Sequence, residues 1–233
     1  MSLTIEGLYK SFEDINLFED FKIEIQENTI TCILGPSGCG KTTLLNMMSD
    51  TTQANKGSFS SYDDKIISYI FQEPRLLPWK TVLENISFVL NDSYTKEESE
   101  QIASKYIKLV ELQEFSNFYP SKLSGGMKQR VAIARAFSYP SNLILMDEPL
   151  KALDLKLKLN LMKSFRRLWQ VDKRTVIFVT HDIDEALLLG NEIYVFSKPP
   201  VNIKERFTID IKERSLNNSE IIELKNKIWD VMD

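Results

Sequence analysis

Gly35-Pro36-Ser37-Gly38-Cys39-Gly40-Lys41-Thr42-Thr43 places three glycines, a lysine and a pair of threonines within one short stretch. Glycines at 35, 38 and 40 let the backbone curl so that successive amide N–H groups point inward. The apolar run Ile30–Leu34 ahead of it reads as a buried strand, and Lys41–Met48 as the helix that follows. That helix N-terminus adds its own amides and partial positive charge. The chemistry on offer is phosphate binding, with a nucleoside triphosphate as the ligand. Lys41 reaches the terminal phosphates as a point charge, and Thr42 offers a hydroxyl to Mg²⁺. The bland alternative is a glycine-rich turn that binds nothing, and the filled positions and flanks argue against it. Cys39 occupies a variable position, where alkylation is expected to hinder nucleotide binding.

Two further constellations carry chemistry. Leu143-Ile144-Leu145-Met146-Asp147-Glu148 is an apolar run ending in two acids, and open α/β sheets put ligand chemistry at such strand ends. Asp147 is expected to hold Mg²⁺ through a coordinated water, and Glu148 to polarise the attacking water in line with the γ-phosphate.

The alternative is a pair of acids opening a loop before Pro149, and the phosphate loop upstream favours the functional reading. His181, the single histidine of the chain, follows the strand-like run Val176–Thr180. Its ordinary pKa near 6.5 lets it donate or accept a proton at working pH. Asp182 and Asp184 read as the start of the next helix rather than as metal ligands.

The 233 residues can bury one good core. Apolar content of 43% and charged content of 27% are those of an ordinary globular protein. No apolar run reaches the roughly 20 residues that span a bilayer. The start Met1-Ser2-Leu3-Thr4-Ile5-Glu6 has no secretion pattern, so a cytosolic protein is expected, with any membrane work done through a partner. A net charge of −4 argues against a general grip on nucleic acid. Two cysteines, Cys32 and Cys39, are too few for a disulfide framework and read as free thiols.

Strand-like runs occur at Leu3–Leu8, Ile23–Gln26, Ile30–Leu34, Ile66–Phe71, Leu143–Asp147, Val176–Thr180 and Ile193–Ser197. Helices are expected to begin at Lys41, Thr81, Lys96, Met127, Leu155, Ile183 and Ser219. This alternation predicts an α/β fold with a mostly parallel sheet. The stretch 73–135 reads as an inserted helical subdomain, with the core at about 1–72 and 136–233. Leu155–Leu161 alternates like a strand, but Leu155, Leu159, Met162, Phe165 and Trp169 repeat at helical spacing, which predicts a helix with Lys156, Lys163 and Arg166 toward solvent.

Leu123-Ser124-Gly125-Gly126-Met127-Lys128-Gln129-Arg130, lying between the phosphate loop and the Asp147–Glu148 pair, resembles the signature turn of ABC transporter ATPases. The other motifs stand in that family's order. The resemblance implies a P-loop NTPase core with an antiparallel N-terminal β portion and an inserted helical subdomain. It implies a homodimer that sandwiches ATP and Mg²⁺, each site pairing one subunit's phosphate loop with Ser124, Gly125 and Gly126 of the other. Gln72 matches the glutamine that touches Mg²⁺, Asp154 the acid at the dimer interface, and His181 the switch histidine at the γ-phosphate. Phe12 matches the aromatic that stacks on adenine, with Tyr9 close enough to compete. Stacking alone gives modest base selectivity, so GTP is also a candidate. Where the family commonly has Gly-Glu before the phosphate-loop strand, this chain has Asn28, the best non-glycine residue for a left-handed turn.

Phe71-Gln72-Glu73-Pro74-Arg75-Leu76-Leu77-Pro78-Trp79 is similar to the nitrate, sulfonate and taurine importer ATPases, a group with relatives that carry vitamin precursors. That similarity implies integral membrane permease subunits docked near Leu76, Leu77 and Trp79. It also implies an extracytoplasmic solute-binding protein acting indirectly, and a peripheral position at the cytoplasmic side of the cell membrane. The alternatives are an exporter or lipoprotein-releasing ATPase and, from another class, a soluble ABC ATPase acting on nucleic acid or ribosomes. The chain as given leaves no room for the long regulatory domain of the sugar-importer branch.

Overall fold

Runs such as Ile30–Leu34 and Leu143–Asp147 are apolar at nearly every position, so they form strands only where both faces can be buried. The computed structural model describes residues 2–13, 15–60, 65–151, 153–211 and 214–232. Ala152, within the segment that leads to Asp154, lies outside the described residues. The chain divides into two units, one formed by residues up to Lys65 and from Arg174 onward, the other by Ile66–Lys173.

In the first unit, β1 (Ser2–Phe12), β2 (Ile15–Gln26) and β4 (Lys56–Ser60) form an antiparallel sheet in the order β2-β1-β4. Buried and exposed residues alternate along much of β1, as expected of a sheet with one covered face. Beside these, β3 (Ile30–Leu34), β7 (Thr175–Thr180), β8 (Glu192–Phe196) and β9 (Ile203–Thr208) run in the order β7-β3-β8-β9. β3 is parallel to both β7 and β8, and β9 is antiparallel to β8. Helices α1 (Lys41–Met48), α6 (Ile183–Leu189) and α7 (Ser219–Met232) complete the unit. The turn into β3 has Asn28 at φ 58°, the left-handed conformation its side chain tolerates. Its amide donates to the Thr175 hydroxyl at 3.0 Å, which ties the turn to the start of β7.

In the second unit, β5 (Ile67–Ile70) pairs in parallel with β6 (Leu143–Asp147). Between them in sequence come α2 (Val82–Ser87), α3 (Lys96–Leu109) and α4 (Gly125–Ser138), which pack on one another, and α5 (Leu155–Val171) follows β6. Thr81 and Thr95 start α2 and α3 with full capping boxes, closed by Glu84 and Glu98. Arg130 reaches from α4 to the Val110 carbonyl at 3.2 Å and, with Arg167 of α5, pairs with Glu111.

The fold is α/β with a mixed sheet and an antiparallel β portion, and several elements differ from the sequence reading; β9 is a strand the reading lacks, and β1 runs on to Phe12. β4, Lys-Gly-Ser-Phe-Ser, has almost no apolar pattern and exists by pairing with β1. β2 begins eight residues before the expected Ile23, at Ile15. α4 begins at Gly125 rather than Met127, because Ser124 caps it and outweighs the poor helix propensity of two glycines. α5 is the expected helix, but Leu155 is 65% exposed and Arg166 is half-buried, its pKa lowered by desolvation.

A buried amide holds the loop before α2. Asn85 is fully buried; its Nδ2 donates to the carbonyls of Leu77, Lys80 and Thr81, and its Oδ1 accepts from the Leu77 amide at 2.8 Å. Asn85→Ala removes the side-chain partner of the part-buried Leu77 amide and Lys80 carbonyl, a loss of about 1–3 kcal/mol for each group left unpaired. The expected outcome is a lower urea midpoint with an unchanged slope, measured by circular dichroism.

Candidate nucleotide site

The phosphate loop emerges where β3 runs out of buried positions. Gly40 has φ 95°, and a Cβ there would lie 3.1 Å from Leu17 and Phe18, so the position excludes any side chain. α1 has neither a side-chain cap nor an acid in its first turn. Its N-terminal amides are therefore arranged for an anion. Lys41 is buried, and its Nζ donates to the carbonyls of Gly35 at 2.8 Å and Pro36 at 2.9 Å. Ser37, Gly38 and Thr42 are exposed, while Pro36 and Thr43 are half-buried.

Cys39 is 1% exposed, and burial pushes its thiol pKa up despite the Lys41 ammonium 3.9 Å away. Cys32 is shifted the same way, also by burial. Both are free thiols. The expected effect of alkylating Cys39 thus presupposes an access that the folded loop denies.

The same unit carries His181 and the two aromatic candidates. His181 is exposed, at the end of β7. The next residue, Asp182, caps α6, its Oδ1 accepting from Asp184 N at 2.9 Å and Glu185 N at 3.3 Å. Behind it the Thr180 hydroxyl donates to the buried Glu185 carboxylate at 2.6 Å. Phe12 is 47% exposed with the Lys10 ammonium 4.6 Å over its ring; Tyr9 is 39% exposed with Lys56 over it at 5.9 Å. Both rings are open to a base, so the choice between them stays with the sequence resemblance.

The second unit carries Gln72, Ser124–Gly126, Asp147, Glu148 and Asp154. Gln72 is exposed just past β5. Asp147 ends β6 half-buried, and burial followed by its carboxylate pushes the Tyr69 phenol pKa up. Glu148 has φ 41°, a conformation costly for a non-glycine residue and concentrated at functional sites. Its carboxylate pairs with Lys151 Nζ at 2.9 Å. Sequence reasoning missed Lys151, whose spacing of three residues from Glu148 was the available signal.

Ser124 is exposed and its hydroxyl accepts from Met127 N at 3.3 Å. Gly125 has open space where a side chain would be, whereas a Cβ on Gly126 would meet Leu157 at 3.2 Å. Asp154 caps α5 by accepting from Leu157 N at 3.0 Å. Leu157 therefore touches both the glycine turn and the Asp154 cap.

The segment after Gln72 is stiffened from below. Tyr69 stacks on Phe71 at 4.3 Å, and the Arg75 guanidinium lies 3.7 Å from the Phe71 centroid. Arg135 of α4 donates to the carbonyls of Pro74 at 3.0 Å and Arg75 at 3.1 Å. A groove of about 600 Å³ is lined here by Tyr69, Phe71, Phe88, Asp92, Arg135 and Tyr139. Trp79 stands 69% exposed, while Leu76 and Leu77 are half-buried.

A family profile described as ABC transporter matches residues 18–151, more than half of the chain. The chain belongs to the ABC transporter family. It is an ATP-binding, ATP-hydrolysing cassette subunit, and its sequence likeness is to the sulfonate-type importer group. An uncharacterised ABC transporter ATP-binding protein of Methanocaldococcus jannaschii is 38% identical over all of this chain and 91% of its own length. An aliphatic sulfonates import ATP-binding protein, SsuB of Bacillus cereus, is 35% identical over 98% of this chain and 94% of its own. Among solved structures, the dimeric structure of a bacterial ABC transporter cassette superposes with a TM-score of 0.75 at 30% identity, covering 88% of this chain and 98% of that one. A post-hydrolysis dimeric cassette bound to ADP and Pi does so with a TM-score of 0.71 at 31% identity, covering 86% and 98%. Among the described residues, no helix is long and apolar enough to cross a membrane.

The thiols give this ABC subunit a measurable pH signature. Folding raises the pKa of both, so above the ordinary thiol value of 9.0 the unfolded chain releases protons that the folded chain retains. Stability held below that pH is lost as the pH rises past it. The melting temperature is expected to fall in that range, and to fall less in a Cys32→Ala, Cys39→Ala variant. At neutral pH neither thiol should react with a disulfide dye until denaturant is added.

Proposed function

We propose that this chain energises import of a small oxyanionic solute of the sulfonate type, as the ATP-hydrolysing partner of a membrane permease. The observation that carries the reading is its nearly full-length likeness to a protein named for aliphatic sulfonate import. The stiffened segment 72–79 beside an aromatic groove supports it, offering a firm surface of a kind that suits a short helix of another protein. The chain would then work at the cytoplasmic face of the membrane, held there by the permease, with a solute-binding protein outside selecting the cargo.

In this reading two copies close on two ATP molecules. Each triphosphate lies on one subunit's loop 35–43 and is covered by the other's Ser124, Gly125 and Gly126, with Asp154 at the subunit interface. Closure excludes water and aims fixed dipoles at the transferring phosphoryl group, the main resource in such reactions. Lys41 exchanges its two carbonyl partners for phosphate oxygens. Phe12 stacks on the base. Glu148 leaves Lys151 and orients the attacking water, while His181 steadies that water and the γ-phosphate. Thr42, Gln72 and Asp147 offer a hydroxyl, an amide oxygen and a carboxylate, hard oxygen donors that fit Mg²⁺. When bound, Mg²⁺ neutralises charge on the β- and γ-phosphates. Residues 73–135 act as the helical subdomain whose movement the permease follows, against a core of 1–72 and 136–233.

Glu148→Gln is expected to bind ATP with unchanged affinity and to hydrolyse it about 10²–10⁴-fold more slowly. It should accumulate as a dimer on size-exclusion chromatography with ATP, and wild-type turnover would remove Glu148 from this role. Ser124→Arg should abolish hydrolysis while monomeric ATP affinity is kept; equal loss of affinity contradicts a site shared between subunits. Transport is tested by purifying the chain with a permease and reconstituting it in vesicles. ATP-driven alkanesulfonate movement toward the chamber opposite the ATPase counts against import.

A further inference from the structure

His181 sits on a short support. It precedes α6, a helix of seven residues, and a helix of two turns has little stability of its own. Its direction is set by what holds it. The C-terminal segment of the same unit holds it at both ends. At the far end, the Arg214 guanidinium donates to the carbonyls of Leu187 and Gly190 and also to those of Ile209 and Ile211. A cation at a helix C-terminus also opposes the helix dipole favourably. At the near end, Lys225 of α7 pairs with Asp184 Oδ1 at 2.6 Å, in the first turn of α6. α7 is anchored for this by Ile221 and Ile228, both buried. One turn beyond Lys225, Trp229 joins His181, Asp182, Lys225 and Met232 around a cavity of about 280 Å³.

We infer that α7 braces the His181 loop, with Lys225 and Trp229 as positioning residues for the imidazole. The Asp184–Lys225 pair adds a tether from α7 to a first turn already capped by Asp182, and so helps set the direction in which the chain leaves β7 at His181. Trp229, 58% exposed, lines the same cavity as the imidazole. Both members of the ion pair are partly exposed, and such pairs add little to global stability. The effect is therefore local: loss of the pair frees the loop without unfolding the unit. The consequence for hydrolysis rests on the reading of His181 given above; the brace itself does not.

Because His181 is the one histidine of the chain, ¹³C-histidine labelling of the full-length protein yields a single set of ring signals. Lys225→Met is expected to shift or broaden them, Lys225→Arg to restore them, and Asp184→Asn to reproduce the change from the other side. In ATPase assays, Lys225→Met should lower kcat about tenfold with KM for ATP held within about twofold, since small misplacements of a reacting group act on the chemical step. Ring signals identical to wild type in Lys225→Met overturn the brace, as does an equal disturbance in Lys225→Arg, which would assign the effect to packing rather than charge. If Lys225→Met does not fold, Asp184→Asn and Lys225→Arg carry the same comparison. His181→Ala separates the two readings: full turnover in that variant ends the catalytic role of His181 while the ring signals still decide the brace.

Discussion

A strand buried on both faces cannot expose a polar group along its length, because each unpaired polar atom there costs several times the thermal energy. β3, β7 and β8 are buried throughout, and β6 is buried up to its last residue. Chemistry must therefore begin where these strands stop. Gly35 follows the last residue of β3, Asp147 is the last residue of β6 and Glu148 the next, and His181 follows the last residue of β7. β5 is buried only at alternate residues, and Gln72 lies exposed two residues past its end. The candidates Gly35, Asp147, Glu148 and His181 thus stand at the ends of buried strands rather than at scattered loop positions.

Helix starts are the second recurrent device. Ser124, Asp154 and Asp182 each cap a helix through a side-chain oxygen. Ser124 and Asp154 are also positions that the family resemblance assigns to the partner-facing surface. A cap fixes the backbone around it while leaving the residue at the surface, since the cap lies outside the helix proper. Under that assignment, the atoms that cap the helix are also the ones turned toward the partner. Leu157 connects two of these caps by packing under Gly126 and donating to Asp154.

The charged groups are already committed to internal partners. Lys41 is bonded to two carbonyls of its own loop and Glu148 to Lys151. In the proposed site, engagement of a nucleotide is an exchange of partners at a lysine already buried in its own loop. The φ of 41° at Glu148 adds a strained backbone at the same point, held by its neighbours rather than by local preference.

The strands β3 and β6 and the starts of α1, α3, α5, α6 and α7 were legible to the residue, because continuous apolar runs and capping residues are local signals. Gly38, Gly40 and Asn28, all at positive φ, were legible for the same reason, whereas Gly35 is set by the close approach of Cys39 and Phe196. β4 was not, since its five residues become a strand only against β1. The exposure of Leu155, the burial of Cys39, the fourfold bonding of Asn85 and the pairing of Lys225 with Asp184 were equally hidden. Each depends on residues brought together from separate parts of the chain or on which face of a helix finds a neighbour. The linear sequence determined which residues can bind phosphate and where the buried strands end. Only the tertiary structure decided which charges are already paired, because pairing depends on distance in space and not on order along the chain.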